Sequence, residues 1–316
     1  MAKKSRVSQT KKESRALTRE DHDFVRQILT SPDDDAPRLA YADWLAAQGD
    51  GERAEFIRCQ IEAARLAPQD PRRAPAQARA DALLQAHQAE WEAAMSAFTG
   101  FGRICVFERG FPVWARFCIT DFPEDIAPHF SRIWQAAPVT QLDLYDMNGP
   151  AAFEPDPDFQ ESWIRVANYE ALANMPQLVH VRTLSVCECA IRAEHLKPLL
   201  ASPHLTNLGE LHLSSNRLGD AGAGVVAEAP VAAGLTHLDL STNEMGNAGA
   251  VALAQSPHLA NLKTLLLQYN FIGEEGGRAL ANSPHLSHLD RLGLDSNPLG
   301  AAEGELRQRF GDRFTV

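Results

Sequence analysis

The chain has 316 residues, 45% of them hydrophobic, and carries 30 Lys and Arg against 41 Asp and Glu, a formal charge of −11. That length allows one large body or two domains, with enough apolar surface for a substantial core. The sequence shows no apolar run near the ~18 residues of a membrane span, and its acidic balance disfavours non-specific contact with nucleic acid.

Residues 1–15, MAKKSRVSQTKKESR, hold six basic residues and one acid, +5, which leaves −16 for the rest. We expect a disordered basic tail here. With no apolar segment behind it, it does not read as a secretory signal. The five cysteines, Cys59, Cys105, Cys118, Cys187 and Cys189, are odd in number and widely spaced, unlike a secreted disulfide framework. Both points favour a cytoplasmic location. VCECA offers a C-x-C pair without the second pair that completes a zinc knuckle.

Helices come first. Thr18 is a fitting N-cap for a helix whose Phe24 and Ile28 face inward, with Leu17 before it. Pro37 opens a second helix through LAYADWLAAQ, which Gly49 ends as a C′ glycine. Asp50 caps a third, with Phe56, Ile57, Gln60, Ile61 and Ala64 on one face. Arg38, Arg53 and Arg58 are placed to pair with Asp43, Glu52 or Glu55. After the polar break APQDPRRAP, a fourth helix is expected over 76–98. The aromatics of YADW then read as core, and Asp43 has no base or nucleophile at a useful spacing. From 107, FERGFPVWARFCITDF reads as a strand in which Val113, Ala115 and Phe117 alternate with Trp114 and Arg116.

A repeat follows. LGELHLSSN, LTHLDLSTN, LKTLLLQYN and LDRLGLDSN begin at Leu208, Leu235, Leu262 and Leu289, a constant period of 27, and VRTLSVCEC stands one period earlier. Alternation within each strand turns Leu211 and Leu213 inward and His212 outward. Asn216, Asn243, Asn270 and Asn297 are expected to bond the backbone of adjacent coils, and Cys189 to fill the same slot as a small buried side chain. A small-residue helix fills the rest of each period, and SPHL returns the chain to the core. VTQLDLYDMN at 139–148 fits a further strand, but its spacing to the next is 42. The extra residues hold Phe153, Phe159 and Trp163, candidates for a contact loop at the rim. LRQRFGDRFTV should cap the last coil.

The repeat resembles a leucine-rich repeat of the ribonuclease-inhibitor kind over about 139–300. That resemblance implies parallel strands on a concave surface and helices on the convex one. RLAYADWLAAQGDGERAEFIRCQ (38–60), with ERGFP at 108–112 and RFGDR at 309–313, resembles the bacterial repeat-companion domain of myxobacteria and planctomycetes. This resemblance implies two parts and supplies no activity or catalytic residues. The expected fold is therefore an α/β leucine-rich-repeat solenoid of 27-residue strand–helix coils with an N-terminal α-helical cap domain. Its parts are a tail (1–15), a companion domain (16–104), a solenoid (105–300) with an insertion near 149–168, and a C-terminal cap (301–316).

On that fold the outward strand positions form three columns: Gln141, Thr183, Glu210, His237, Thr264, Arg291; Asp143, Ser185, His212, Asp239, Leu266, Gly293; and Tyr145, Cys187, Ser214, Ser241, Gln268, Asp295. With no basic stripe and a mixed polar–aromatic character, this face suits a protein or peptide partner rather than nucleic acid or membrane. Tyr145, Cys187, His212, His237, Asp239 and Leu266 are its candidate contacts, extended at the rim by Tyr269. Glu210, His212, His237 and Asp239 also suggest an alternative: a divalent metal, zinc or iron, serving an enzyme that acts on a peptide or protein partner. No cofactor is expected on the main reading.

Overall fold

The structure, a computed structural model, describes residues 17–92, 106–119, 127–145 and 166–316. Phe153, Phe159, Trp163 and the basic tail lie outside the described residues. The chain divides into two compact units, one of residues up to Pro112 with Arg132–Pro138, the other of Val113–Ser131 with Val139–Val316.

The first unit is helical: α1 (Arg19–Thr30), α2 (Ala36–Ala47), α3 (Gly51–Arg65) and α4 (Arg73–Trp91), then a hairpin of β1 (Phe107–Glu108) and β2 (Phe111–Pro112). The start of α1 is a capping box. Thr18 Oγ1 accepts from the Asp21 backbone N–H, and the Asp21 carboxylate accepts from Thr18 N–H at 2.7 Å. The other Asp21 oxygen accepts from the buried Tyr41 hydroxyl at 2.6 Å, so a carboxylate away from water has its lone pairs filled. Gly49 ends α2 at φ +88°, and Asp50 caps α3. Tyr41, Ala42 and Leu45 join Ile28, Ile57 and Phe111 in one core, with Phe24, Leu39 and Trp44 packed against it. YADW is thus core.

Three sequence expectations change here. Arg58 does meet Asp43, at 2.6 Å, but Glu55 pairs with Arg79 and Glu52 with His87. Arg38 donates to the Asp34 carbonyl, and Arg53 is drawn inward to aromatic rings. On α3 it is Ala63 that is buried and Ala64 that is exposed. The reason is that α4 covers the Phe56 side of the helix, and Ala63 lies on that stripe, two turns on. The fourth helix starts at Arg73, three residues before the expected 76, and is described as far as Trp91.

Arg53 links two motifs that look separate in the sequence. Its guanidinium carbon lies 4.5 Å from the Trp91 ring centroid, 5.3 Å from Phe56, 5.4 Å from Phe107 and 5.9 Å from Phe111. Nη2 donates to the Gly110 carbonyl at 2.6 Å. Gln60, two turns along α3, accepts from Gly110 N–H at 2.7 Å and donates to the Phe107 carbonyl at 3.2 Å. The ERGFP turn is therefore held by α3. Gly110 sits there at φ +88°, and a Cβ would come within 2.8 Å of the Ile57 Cα, so both conformation and space require glycine.

The second unit is a leucine-rich-repeat solenoid built on one eight-stranded parallel sheet: β3 (Trp114–Cys118), β4 (Gln141–Tyr145), β5 (Thr183–Val186), β6 (Glu210–His212), β7 (His237–Asp239), β8 (Thr264–Leu266), β9 (Arg291–Gly293) and β10 (Phe314–Thr315), in that spatial order. The crossovers carry α5 (Ala127–Ala136), α6 (Val166–Ala173), α7 (Ala193–Leu200), α8 (Gly219–Glu228), α9 (Asn247–Gln255), α10 (Glu274–Ala281) and α11 (Ala302–Phe310). Inward leucines from Leu142 to Leu294 are buried in register, Leu184 beside Leu211, Leu238, Leu265 and Leu292.

Three side-chain ladders stitch the coils. Asn270 accepts from Asn243 N–H and Met245 N–H, both at 3.0 Å, and donates to the Leu240 carbonyl one coil back. Asn216, Asn243 and Asn297 repeat the pattern, while Cys189 donates its thiol to the Leu144 carbonyl at 3.4 Å. The serine of each SPHL donates to a helix-end carbonyl of the coil before: Ser202 to Ala173, Ser256 to Ala227, Ser283 to Ala254. At the helix starts, Asp220 accepts from Gly246 and Gly249 N–H, and Asn247 from Gly273 and Gly276 N–H, so each coil caps the next coil's helix. The sequence analysis missed these last two ladders. Their signal was the 27-residue recurrence of a short polar side chain beside a helix end. At the C-terminus Arg309 donates to the Ala281 and Ser283 carbonyls and Arg313 to Leu289, while Phe314 pairs beside Leu292.

Candidate functional site

The registers of the sheet place the outward residues side by side. Gln141 faces Thr183, then Glu210, His237, Thr264 and Arg291; Asp143 faces Ser185, His212, Asp239, Leu266 and Gly293. These are the first two expected columns. The strand expected at 113–117 extends them by one step that the expected columns left out: Trp114, Arg116 and Cys118 of β3 stand beside Gln141, Asp143 and Tyr145. Its alternation was visible, but nothing in the repeat period fixed its register.

At the β3–β4 end, Arg116 meets Asp143 at 3.2 Å and lies 4.6 Å over the Tyr145 ring. Burial raises the Asp143 pKa above the ordinary carboxylate value, against the pull of Arg116 and the Ser185 hydroxyl. Next along, the Cys187 sulfur accepts from Ser214 Oγ at 3.3 Å and Ser185 Oγ at 3.5 Å. Cys187 is half-buried and its thiol is free.

The histidine patch in the middle is brought together differently from the expected neighbour pairs. Glu210 lies beside His237 in register and His212 beside Asp239, as expected. The contacts run otherwise. His212 Nε2 approaches Glu210 on its own strand at 3.6 Å, and the His212 and His237 rings meet tilted by 36° with centroids 4.8 Å apart. Asp239 turns to accept from Ser241 N–H at 2.9 Å. Burial lowers the His237 pKa, and His212 pushes it the same way. Among the described residues, no group of three or more His, Cys, Asp and Glu is gathered so as to hold a metal ion.

Toward β9 the face changes character. Leu266 is half-buried on the open side. Gln268 accepts from Ser241 Oγ at 2.8 Å and lies over Gly293, where a Cβ would come within 2.3 Å of its amide. Just past the strand, Tyr269 is 65% exposed and Phe271 67% exposed. The sequence analysis named Tyr269 and missed Phe271. The signal was its place directly after the asparagine, where the other coils carry Ala190, Arg217, Glu244 and Pro298.

A leucine-rich-repeat family pattern matches residues 204–227, 235–254 and 258–281. Among solved structures, an internalin from Listeria monocytogenes is similar over 58% of this chain and 49% of its own, at 16% identity and a TM-score of 0.32. The chain thus spans about half the length of that structure. No curated protein matches the sequence. Among the described residues, no helix is long and apolar enough to cross a membrane.

Proposed function

We propose that this leucine-rich-repeat protein is a non-catalytic scaffold that binds a protein or peptide along the open face of its sheet. The observation that carries this is the register: six successive strands set mostly polar, mostly half-buried side chains side by side in rows along the open face. Tyr145, Cys187, His212, His237, Asp239, Leu266 and Tyr269 are the proposed contacts, and Phe153, Phe159 and Trp163, outside the described residues, are further candidates. Nucleic acid and membrane are not the proposed partners. A reducing, cytoplasmic location is part of the proposal, supported by the odd number and wide spacing of the five cysteines.

We further propose that residues 16–104 are a bacterial repeat-companion domain. What supports this is the bonding of Arg53 and Gln60, from the R-A-E-F-I-R-x-Q run, to the ERGFP turn.

The test is affinity capture from a bacterial lysate by wild type and by a Tyr145→Ala/His212→Ala/His237→Ala variant. Captured proteins should fall away with the variant. Identical proteins at identical occupancy would remove the open face as the site. Loss only on trimming 150–165 would transfer it to that segment.

A further inference from the structure

The repeat supplies its own internal comparison for Tyr269 and Phe271. The residue before each ladder position is left-handed in five coils: Glu188, Ser215, Thr242, Tyr269 and Ser296 all lie between φ +54° and +60°. The turn therefore demands that backbone whatever the side chain. Asparagine or glycine would fill it at least cost, and a bulky ring is a costly choice. Tyr269 is also 65% exposed, so burial does not compensate for the strain. One step past the asparagine, Phe271 is 67% exposed where other coils carry Ala190 or Glu244. Neither the turn nor the core explains either ring. Strain kept without a packing return points to contact with something outside the chain.

The surroundings say what kind of contact. Leu266 brings a half-buried apolar side chain to the open face of the same coil. Asp239 and the exposed Glu244 stand on the preceding coil, the latter beside Phe271. Asp295 stands on the following one, its carbonyl accepting from Tyr269 N–H at 2.9 Å. Against these three carboxylates, Lys263 and Arg291 sit at the far end of their strands, and Arg217 is two coils off, roughly 10 Å away at ordinary strand spacing. Exposed aromatic side chains on a coil flanked by acidic residues suit a cation carried on an apolar segment.

We propose that the rim of this coil, Tyr269 and Phe271 with Leu266 beside them, anchors a partner peptide carrying a Lys or Arg next to an apolar side chain. The proposal rests on the scaffold function above and names the partner's chemistry and its anchor.

The test is selection from a random-peptide display library on the full chain at neutral pH, followed by fluorescence anisotropy of the selected peptides. They should share a Lys or Arg beside an aliphatic or aromatic residue, and bind more weakly as salt is raised. A Tyr269→Asn/Phe271→Ser variant should bind them at least about tenfold more weakly, while its melting temperature stays the same or rises, because Asn accepts the left-handed turn. Acidic peptides, no shared sequence, or no enrichment would overturn the proposal. Peptides that bind this variant normally but fail on Tyr145→Ala/His212→Ala/His237→Ala would overturn the rim anchor and leave the scaffold reading standing. Full binding to both variants would remove both.

Discussion

Replacing Arg53 should invert the usual ranking of conservative and radical changes. The guanidinium is buried, and burial pushes its pKa down from the ordinary arginine value to about 10. At ~1.4 kcal/mol per pKa unit, keeping this charge in place costs about 3 kcal/mol. Against that stand the hydrogen bond to the Gly110 carbonyl, ~1.5–3 kcal/mol for a charged donor, and the stacking on Trp91, Phe56 and Phe107, ~2 kcal/mol when desolvated. Among the described residues Nη1 has no hydrogen-bond partner, so one donor is held at a loss.

Arg53→Met removes the cost of burying the charge along with the bond and the stacking, and fills much of the same space. It should destabilise by only ~1–2 kcal/mol, chiefly by leaving the Gly110 carbonyl without a donor. Arg53→Lys keeps a charge, concentrates it on a more strongly hydrated ammonium and gives up the planar fit to the rings, so it should cost ~3–5 kcal/mol. Urea unfolding of the full chain measures both, on the transition that carries the helical unit. The sign with pH is set by the lowered pKa. Above about pH 10 the folded chain releases the Arg53 proton before the unfolded chain does, so wild type should gain on Arg53→Met as the pH rises past that point. A Lys variant as stable as wild type, beside a Met variant several kcal/mol worse, would refute the account. It would mean that charge alone matters at this position.

Three further outcomes follow from named contacts. Asn270→Ala strands two buried N–H groups and should cost ~2–4 kcal/mol by urea denaturation, whereas an exposed change such as Asn261→Ala should cost far less. The lowered His237 pKa means that the unfolded chain takes up that proton first as pH falls below about 6.5, so stability declines there and His237→Gln should flatten the decline in acid-side melting curves. Added zinc should leave the melting temperature of wild type unchanged, because Asp239 is turned to the Ser241 N–H and, among the described residues, no third ligand is gathered with His212 and Glu210. A rise that vanishes in His212→Ala/His237→Ala would revive the metal reading.

The solenoid was legible because its constraints recur. Leu211, Leu238, Leu265 and Leu292 meet the same environment every 27 residues, and a burial requirement repeated four times cannot be mistaken for composition. The asparagine ladder was legible for the same reason. What escaped was pairing across elements without a period. Arg53 looked like a surface ion-pair partner because its sequence neighbours are acidic. Its true partners, Trp91, Phe107 and Gly110, lie 38 to 57 residues away. The histidine patch was placed correctly by register, but which acid each ring meets depends on side-chain rotation, and no spacing encodes that.

The same recurrence separates structural from functional positions in a single chain. Where a row is filled alike in every coil, as by the inward leucines, stacking dictates the residue. Where a row varies among small and polar residues, as in Ser215, Thr242 and Ser296, the fold tolerates many choices. A large apolar residue in such a permissive row, exposed and on a backbone that disfavours it, is required by neither. Tyr269 meets all three conditions and Phe271 two of them. Cys189 is the contrasting exception. It breaks the asparagine row, yet it is buried and its thiol reaches the Leu144 carbonyl, so stacking still accounts for it. Departure from the repeat is therefore informative about binding only when the departing side chain faces water, and by that criterion the coil of β8 is where a partner should first be sought.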